Sequence, residues 1–241
     1  MAIWRVEEIK RSVEELYGIE QSKLLSSSID SIQNRMDISH FHFHEAKSLM
    51  IEATRGVHIE RQIFAILAGK SEEGARFKKS RFQASAHILA CVQSIHSLAD
   101  TFSHVLYYAF GMNLAPSDAL KPRNVTTQRV INRLMNNNIS EMMYSLIRHE
   151  NYLYISALNN HSKHRSIVKT SYSFDLKCPD GIKHGLKFSD FMYTEEENYA
   201  EKWVNPVLES EYDRQCGLIV AMGNELALDL KLRMPSAQSP S

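Results

Sequence analysis

The chain has 241 residues, with 28 basic residues, 28 acidic residues and a formal net charge of zero. This balance excludes a global positive field, so contact with RNA or DNA requires a local basic patch. Three widely spaced cysteines argue against a disulfide framework. No apolar run approaches the roughly 20 residues of a membrane span, and the chain is charged from Arg5 onward, unlike a signal peptide. We expect a cytoplasmic protein without membrane contact.

The first part of the chain is predicted to form two helices. Apolar residues recur every three or four positions from Ile3 to Tyr17, which predicts an amphipathic helix. The serine-rich stretch 22–31 predicts a break or a cap. A second helix is predicted from about His40 to Ala68, ending at Gly69.

The middle of the chain carries the strongest helical pattern. Residues 71–111 contain a long apolar stripe and predict a helix closed by Gly111. A short helix is predicted from Thr126 to Met135. Another is predicted from Ile139 to about Asn160, with Ser140 as its N-cap.

The pattern then changes from helical to alternating. Residues 166–176 and part of 185–193 alternate with period two around a turn-forming segment, which predicts one β-hairpin over about 166–193. The last helix is predicted from about Asn198 to Leu232, with the acidic residues 195–197 favouring its start. Residues 233–241 are predicted to be a disordered tail.

These elements predict an all-α fold: an antiparallel helical bundle with one inserted hairpin. We expect one helical domain over 1–232, in which N-terminal helices (1–70) precede a core with the hairpin insertion (71–232).

The stretch NNHSKHR, Asn159–Arg165, stands where the helical pattern ends. Lys163, His164 and Arg165 could simply stabilise the negative end of a helix dipole, worth about 0.3–1 kcal/mol. The same residue types also suit phosphodiester chemistry, because an imidazole can move a proton and a guanidinium can hold a phosphate.

The stretch resembles the active-site motif of the HEPN superfamily of helical-bundle proteins. That motif is an arginine, a polar residue that is often asparagine, three further residues and a histidine. Asn159, Asn160 and His164 take these places here. The sequence departs from the motif because Asn159 replaces the arginine, although Arg165 could supply the charge. The order of helix, motif, inserted strand and last helix resembles a bacterial branch of the superfamily.

The resemblance implies a homodimer whose motifs face one another, and a metal-independent ribonuclease acting as a toxin or antiviral defence effector. His164 would then be a general acid or base, Asn160 would orient it, and Arg165 and Lys163 would stabilise the charge on phosphorus. RNA or a nucleotide, and an antitoxin or other defence-system protein, would be partners. The alternative is a non-catalytic module for nucleotides, nucleic acid or proteins. No nucleotide-cofactor or zinc-protease motif is present, so we expect no cofactor and no metal.

His96, Asp100 and His104 follow one another at four-residue spacing, so they are neighbours along one helix. Three interpretations stay open. His96 and Asp100 could satisfy each other by a hydrogen bond, they could support His164 as positioning residues, or the three side chains could bind a metal ion.

Two further stretches carry polar clusters. His40, His42 and His44 alternate before Glu45, and we interpret them as a polar loop and helix start. The run Arg76–Arg81 is basic, and Lys78, Lys79 and Arg81 are the best candidates for contacts with nucleic-acid phosphates, although such runs are usually solvated helix faces.

Overall fold

The computed structural model describes residues 3–56, 71–117, 119–175, 177 and 183–234. Within this part the chain is mostly helical, as predicted. Among these helices, none combines the length and apolar character needed to cross a bilayer. The helices are α1 (Val6–Tyr17), α2 (Ile19–Thr54), α3 (Glu72–Ala109), a 3₁₀ turn (Pro122–Asn124), α4 (Thr127–Ile131), α5 (Asn137–Arg148), α6 (Glu150–His164) and α7 (Val204–Arg233).

Helix α2 corrects the predicted break in the serine-rich stretch. The break falls earlier, at Gly18, which has a φ of 91°. The serines lie within the helix, where their hydroxyls donate to carbonyls one turn back and so leave the backbone helical: Ser26 Oγ donates to Ser22 O at 2.8 Å and Ser31 Oγ to Ser27 O at 2.8 Å. The predicted second helix therefore begins before His40, and its predicted end lies outside the described residues.

The helix predicted from Ile139 to Asn160 is two helices. The chain turns at His149, whose ψ of 140° is extended, so α5 ends and α6 begins there. The N-cap of α5 is Asn136 and not Ser140, since the Asn136 side chain accepts a hydrogen bond from Ile139 N at 3.1 Å. The predictions for α3 and for Gly111 (φ 64°) are confirmed, while α4 is shorter than predicted.

The β structure exceeds the single predicted hairpin. Strands β1 (Thr170–Asp175) and β2 (Lys183–Phe188) pair antiparallel, with Tyr172 opposite Leu186, and β5 (Lys202–Trp203) adds a third strand beside β2. Strands β3 (Phe191–Met192) and β4 (Asn198–Tyr199) form a second, two-stranded sheet. Most of the predicted turn between β1 and β2 lies outside the described residues.

The last helix starts later than predicted. Residues 195–197 lie in the turn between β3 and β4, where Thr194 Oγ1 accepts a hydrogen bond from Glu197 N at 3.0 Å and Tyr193 N donates to Glu197 O at 2.8 Å. Helix α7 begins only at Val204 and continues to Arg233, the first residue of the predicted tail. Residues 235–241 lie outside the described residues.

The described chain divides into two compact units, each with its own apolar core. The first core contains Ile29, Phe102 and Leu226, and the second contains Ile88, Leu158 and Phe188. The first unit comprises 1–36, 97–152 and 213–241, and the second comprises 37–96 and 153–212.

A close approach in the first unit gives a test of its core. A Cβ atom on Gly223 would lie 2.0 Å from Trp4 Nε1, whereas one on Gly217, on the same helix, would meet nothing within 4 Å. The indole cannot easily move away, because Arg5 N donates to Asn224 Oδ1 at 3.1 Å and Trp4 packs on Phe102. We expect Gly223→Ala to lower the free energy of unfolding by about 1–3 kcal/mol.

Gly217→Ala is the matched control for this prediction. It removes a helical glycine at an exposed position, so it should raise the free energy of unfolding by about 0.5–1 kcal/mol. Urea titrations of both variants check the pair. Stabilisation by Gly223→Ala as well would show that Trp4 is not held against α7.

Candidate functional site

Asn159, in the place of the motif's arginine, lies inside the second unit. It is 0% exposed, and its Nδ2 donates to His96 Nδ1 at 3.1 Å. Its Oδ1 is buried without a hydrogen-bond partner among the described residues. A side chain in this position cannot reach a phosphate in solvent, so Asn159 connects α6 to α3 instead of presenting a polar group to a substrate.

His96 is fixed by two side chains of α6. Because the Asn159 amide nitrogen can only donate, His96 Nδ1 is the acceptor, and the ring proton is on Nε2. His96 Nε2 then donates to Ser156 Oγ at 3.3 Å. The structure thus joins His96 to α6 through the buried Asn159 and through Ser156, and its positioning role towards His164 stays a prediction. Ser156 was missed in the sequence, where nothing distinguishes it from an ordinary helical serine.

Asp100 and His104 belong to the first unit. Asp100 Oδ1 accepts a hydrogen bond from Thr127 Oγ1 at 2.7 Å, and Thr127 Oγ1 accepts one from Ser103 Oγ at 3.1 Å. Burial lowers the pKa of His104, and the Asp100 carboxylate acts in the opposite direction. No group of three metal-binding side chains occurs within the described residues. The hydrogen bond from Thr127 gives Asp100 a structural role that the sequence did not reveal.

Two cationic side chains and an imidazole lie at the C-terminal end of α6. Lys163, His164 and Arg165 are all exposed. Arg165 extends towards the β3–β4 hairpin, where its Nη1 lies 3.5 Å from Met192 O and its guanidinium lies 6.0 Å from the Tyr193 ring centre. The carbonyl groups at a helix C-terminus are negative, and they sit behind these cations. Because Lys163, His164 and Arg165 are exposed, a polymer can contact them.

The end of α6 is held by hydrogen bonds and by one ring contact. The carbonyl of His161 accepts hydrogen bonds from Arg165 N at 2.9 Å and Ser166 N at 3.2 Å. The His161 ring in turn donates from Nδ1 to Ser166 O at 2.8 Å and packs on Phe191 at 5.4 Å between ring centres. Of the two histidines in the last turn, His161 therefore holds the structure together and His164 faces solvent.

Asn160 shares a face of α6 with His164. Residues four apart on a helix lie about 40° apart around the axis, and residues five apart about 140°. Asn160 is half-buried, one turn before His164, whereas Asn159 points into the core. Four of the predicted residues stand in the last turn of α6 or directly before or after it, and we call them the helix-end cluster: Asn160, Lys163, His164 and Arg165.

The predicted basic run divides into two environments. Lys78 and Arg81 line a cavity of about 340 Å³ in the second unit, together with Lys169, which the sequence analysis did not single out. Lys79 is exposed and is not among the residues that line the cavity. The position of Lys169, directly before the alternating stretch that forms β1, could have indicated it in the sequence.

The histidine-rich stretch lies within α2 and is not a loop. His42 Nδ1 lies 2.8 Å from Nδ1 of His87 on α3, so one ring donates to the other. Burial lowers the pKa of His42, and His87 lowers it further, while Glu45 acts in the opposite direction. His40 and His44 pack against each other at 4.2 Å. His87 was missed because it is distant in sequence.

Searches of protein-family models, curated proteins and solved structures find no match to this chain. The HEPN resemblance therefore remains a prediction from the residues. Within the described part of the second unit, we take the helix-end cluster and the lined cavity as the features from which a function is argued.

Proposed function

We propose that this chain is a HEPN-like ribonuclease that cleaves RNA without a metal ion at the helix-end cluster. The observation that carries the proposal is the exposed imidazole of His164, placed between the cations Lys163 and Arg165 at an open helix end. A polymer substrate needs such an accessible site, and phosphate contacts need local positive charge on a chain of zero net charge.

The chemistry requires one base and one acid. His164 would accept the proton of a ribose 2′-hydroxyl, whose oxygen attacks the adjacent phosphorus to give a 2′,3′-cyclic phosphate. The leaving 5′-oxygen takes up a proton from a second group. Lys163 and Arg165 would stabilise the negative charge on the phosphorane. Two facing clusters in an antiparallel-bundle homodimer would supply both imidazoles.

Two of the remaining predicted residues, Asn160 and His96, have supporting roles in this proposal. Asn160 would orient His164 from one turn away on the same face. His96 would act only through Asn159, by fixing the packing of α6 on α3. Asp100 bonds Thr127 in the first unit and receives no part in the reaction.

A second candidate function is binding without turnover. The buried state of Asn159 favours it, because the cation that the family's motif has at that place is absent from the surface. The cluster would then hold the phosphates of a nucleotide or an RNA, or bind a protein. In either case a cytoplasmic toxin or defence role, with an antitoxin as partner, remains a prediction.

Purified protein incubated with total RNA in EDTA separates these functions. Cleavage on a denaturing gel supports the ribonuclease, and anisotropy of a labelled single-stranded RNA measures binding in parallel. Binding that weakens with salt but gives no cleavage supports the second candidate. Cleavage that stops in EDTA contradicts metal-independent chemistry, and the lack of both binding and cleavage contradicts both functions.

A further inference from the structure

The cavity between α3, the end of α6 and the strands β1 and β2 combines an apolar wall with a cationic rim. Its volume of about 340 Å³ is at the lower end of the range for small-molecule sites. The cations are Lys78, Arg81 and Lys169, and no acidic residue is among the described residues that line it. The wall includes Ile88, Leu158 and Phe188.

The three cations have no counter-charge within the described part of the chain. Neighbouring basic residues do pair, for example Arg76 with Glu73 at 3.7 Å. Lys78, Arg81 and Lys169 form no ion pair there. Like charges gathered at one opening repel each other, and an anion bound between them removes that repulsion.

The cavity also contains one hydroxyl pair. Ser85 Oγ donates to Arg81 O at 2.8 Å and lies 2.5 Å from Thr170 Oγ1. Since Ser85 has a single hydroxyl proton, Thr170 must donate in the shorter contact. This internal pairing satisfies both protons, so the wall needs no polar group from a ligand.

We propose that this cavity binds an amphiphilic anion: a carboxylate or phosphate monoester on an apolar tail of medium length. The headgroup lies among Lys78, Arg81 and Lys169, and the tail covers the apolar wall. An anion without a tail would leave the wall in contact with water, and a neutral tail would leave the cations without a partner. This inference concerns residues outside the helix-end cluster and does not rest on the proposed ribonuclease.

Calorimetric titration of the full chain tests the proposal with five probes, with decanoate and decyl phosphate kept below their micelle-forming concentrations and decanol below its solubility. Decanoate and decyl phosphate should both bind, and their relative affinities distinguish a carboxylate from a phosphate headgroup. Decanol and inorganic phosphate should bind at least about tenfold more weakly, because each lacks one of the two interactions. Guanosine monophosphate tests a nucleotide as the occupant.

The variants compare basic residues that line the cavity with Lys79, which does not line it. Arg81→Gln and Lys169→Gln should each weaken decyl phosphate binding by about five- to tenfold, as expected for the loss of a charge-assisted contact. Lys79→Gln, which removes the same charge beside the cavity but outside it, should change binding less than about twofold. Leu89 also lines the cavity, so Leu89→Trp, which fills part of the cavity with a bulky ring, should abolish binding, with circular dichroism to verify that the variant folds.

Several results would overturn the proposal. Equal weakening by Lys79→Gln and Lys169→Gln would show a diffuse charge effect and overturn the proposal. Decanol binding as tightly as decanoate, or the absence of any alkyl binding, overturns it too. Guanosine monophosphate binding without alkyl binding replaces the amphiphile by a nucleotide. RNA cleavage is measured separately, so loss of one activity does not decide the other.

Discussion

Replacing His164 with alanine is expected to lower the initial rate of RNA cleavage in EDTA by about 10²- to 10⁴-fold, the usual contribution of a general acid or base. The side chain is exposed at the last position of α6, so its removal leaves no cavity and no buried polar group. The free energy of unfolding should change by less than about 0.5 kcal/mol. Rates from a labelled RNA, combined with urea titration, check both parts.

The matched control is His161→Ala, in the same helical turn. His161 donates to Ser166 O and packs on Phe191, so its loss should lower the free energy of unfolding by about 1 kcal/mol or more. Cleavage by the folded variant should stay within a few-fold of the wild-type rate. If both variants lose cleavage equally, the helix end acts through its structure, and His164 is not the proton-transfer group.

The long helices could be predicted from sequence because their apolar periodicity is strong. Helix α3 was predicted almost to its ends, and Gly111 adopts the left-handed conformation expected of a terminating glycine. The serine-rich part of α2 could not be predicted in the same way. A serine hydroxyl can satisfy a carbonyl within a helix or compete with the helix at a turn, and only the packing decides between the two.

The short strands were predicted incompletely: β3 lies inside the predicted hairpin but was not separated from β2, while β4 and β5 lie where the last helix was predicted to begin. Strands of two residues, such as β3 and β4, carry no detectable alternation, and they depend on contacts such as the stacking of Phe191 on Tyr199 at 5.2 Å. The acidic residues 195–197 resemble a helix start in sequence. The hydrogen bond from Glu197 N to Thr194 Oγ1 makes them a turn instead.

The candidate site was predicted in part. Its place at a helix end follows from the sequence, since Lys163 and His164 lie in the last turn of α6, Asn160 directly before that turn and Arg165 directly after it. The burial of Asn159 also had a signal, since it lies one turn after the apolar Ile155 on the same face. Its partner His96 could not be predicted, because the pairing depends on how α3 packs on α6.

The burial of Asn159 leads to the last prediction. Asn159→Asp places a carboxyl group at a position that is 0% exposed, where Oδ1 of the asparagine already lacks a hydrogen-bond partner among the described residues. Removing a charge from water without full compensation is costly, so the free energy of unfolding at pH 7.5 should fall by roughly 2–5 kcal/mol.

The dependence on pH and a neighbouring substitution make this test specific. Burial favours the neutral carboxyl group and raises its pKa in the folded state, so the deficit should be smallest in acid and grow as the pH rises through that pKa. Asn160→Asp adds the same charge at the half-buried next position and should cost less than about 1 kcal/mol. Urea titrations at several pH values measure both. Equal, pH-independent costs would mean that Asn159 is accessible to solvent, and the family's arginine position would then again be a candidate for contact with RNA.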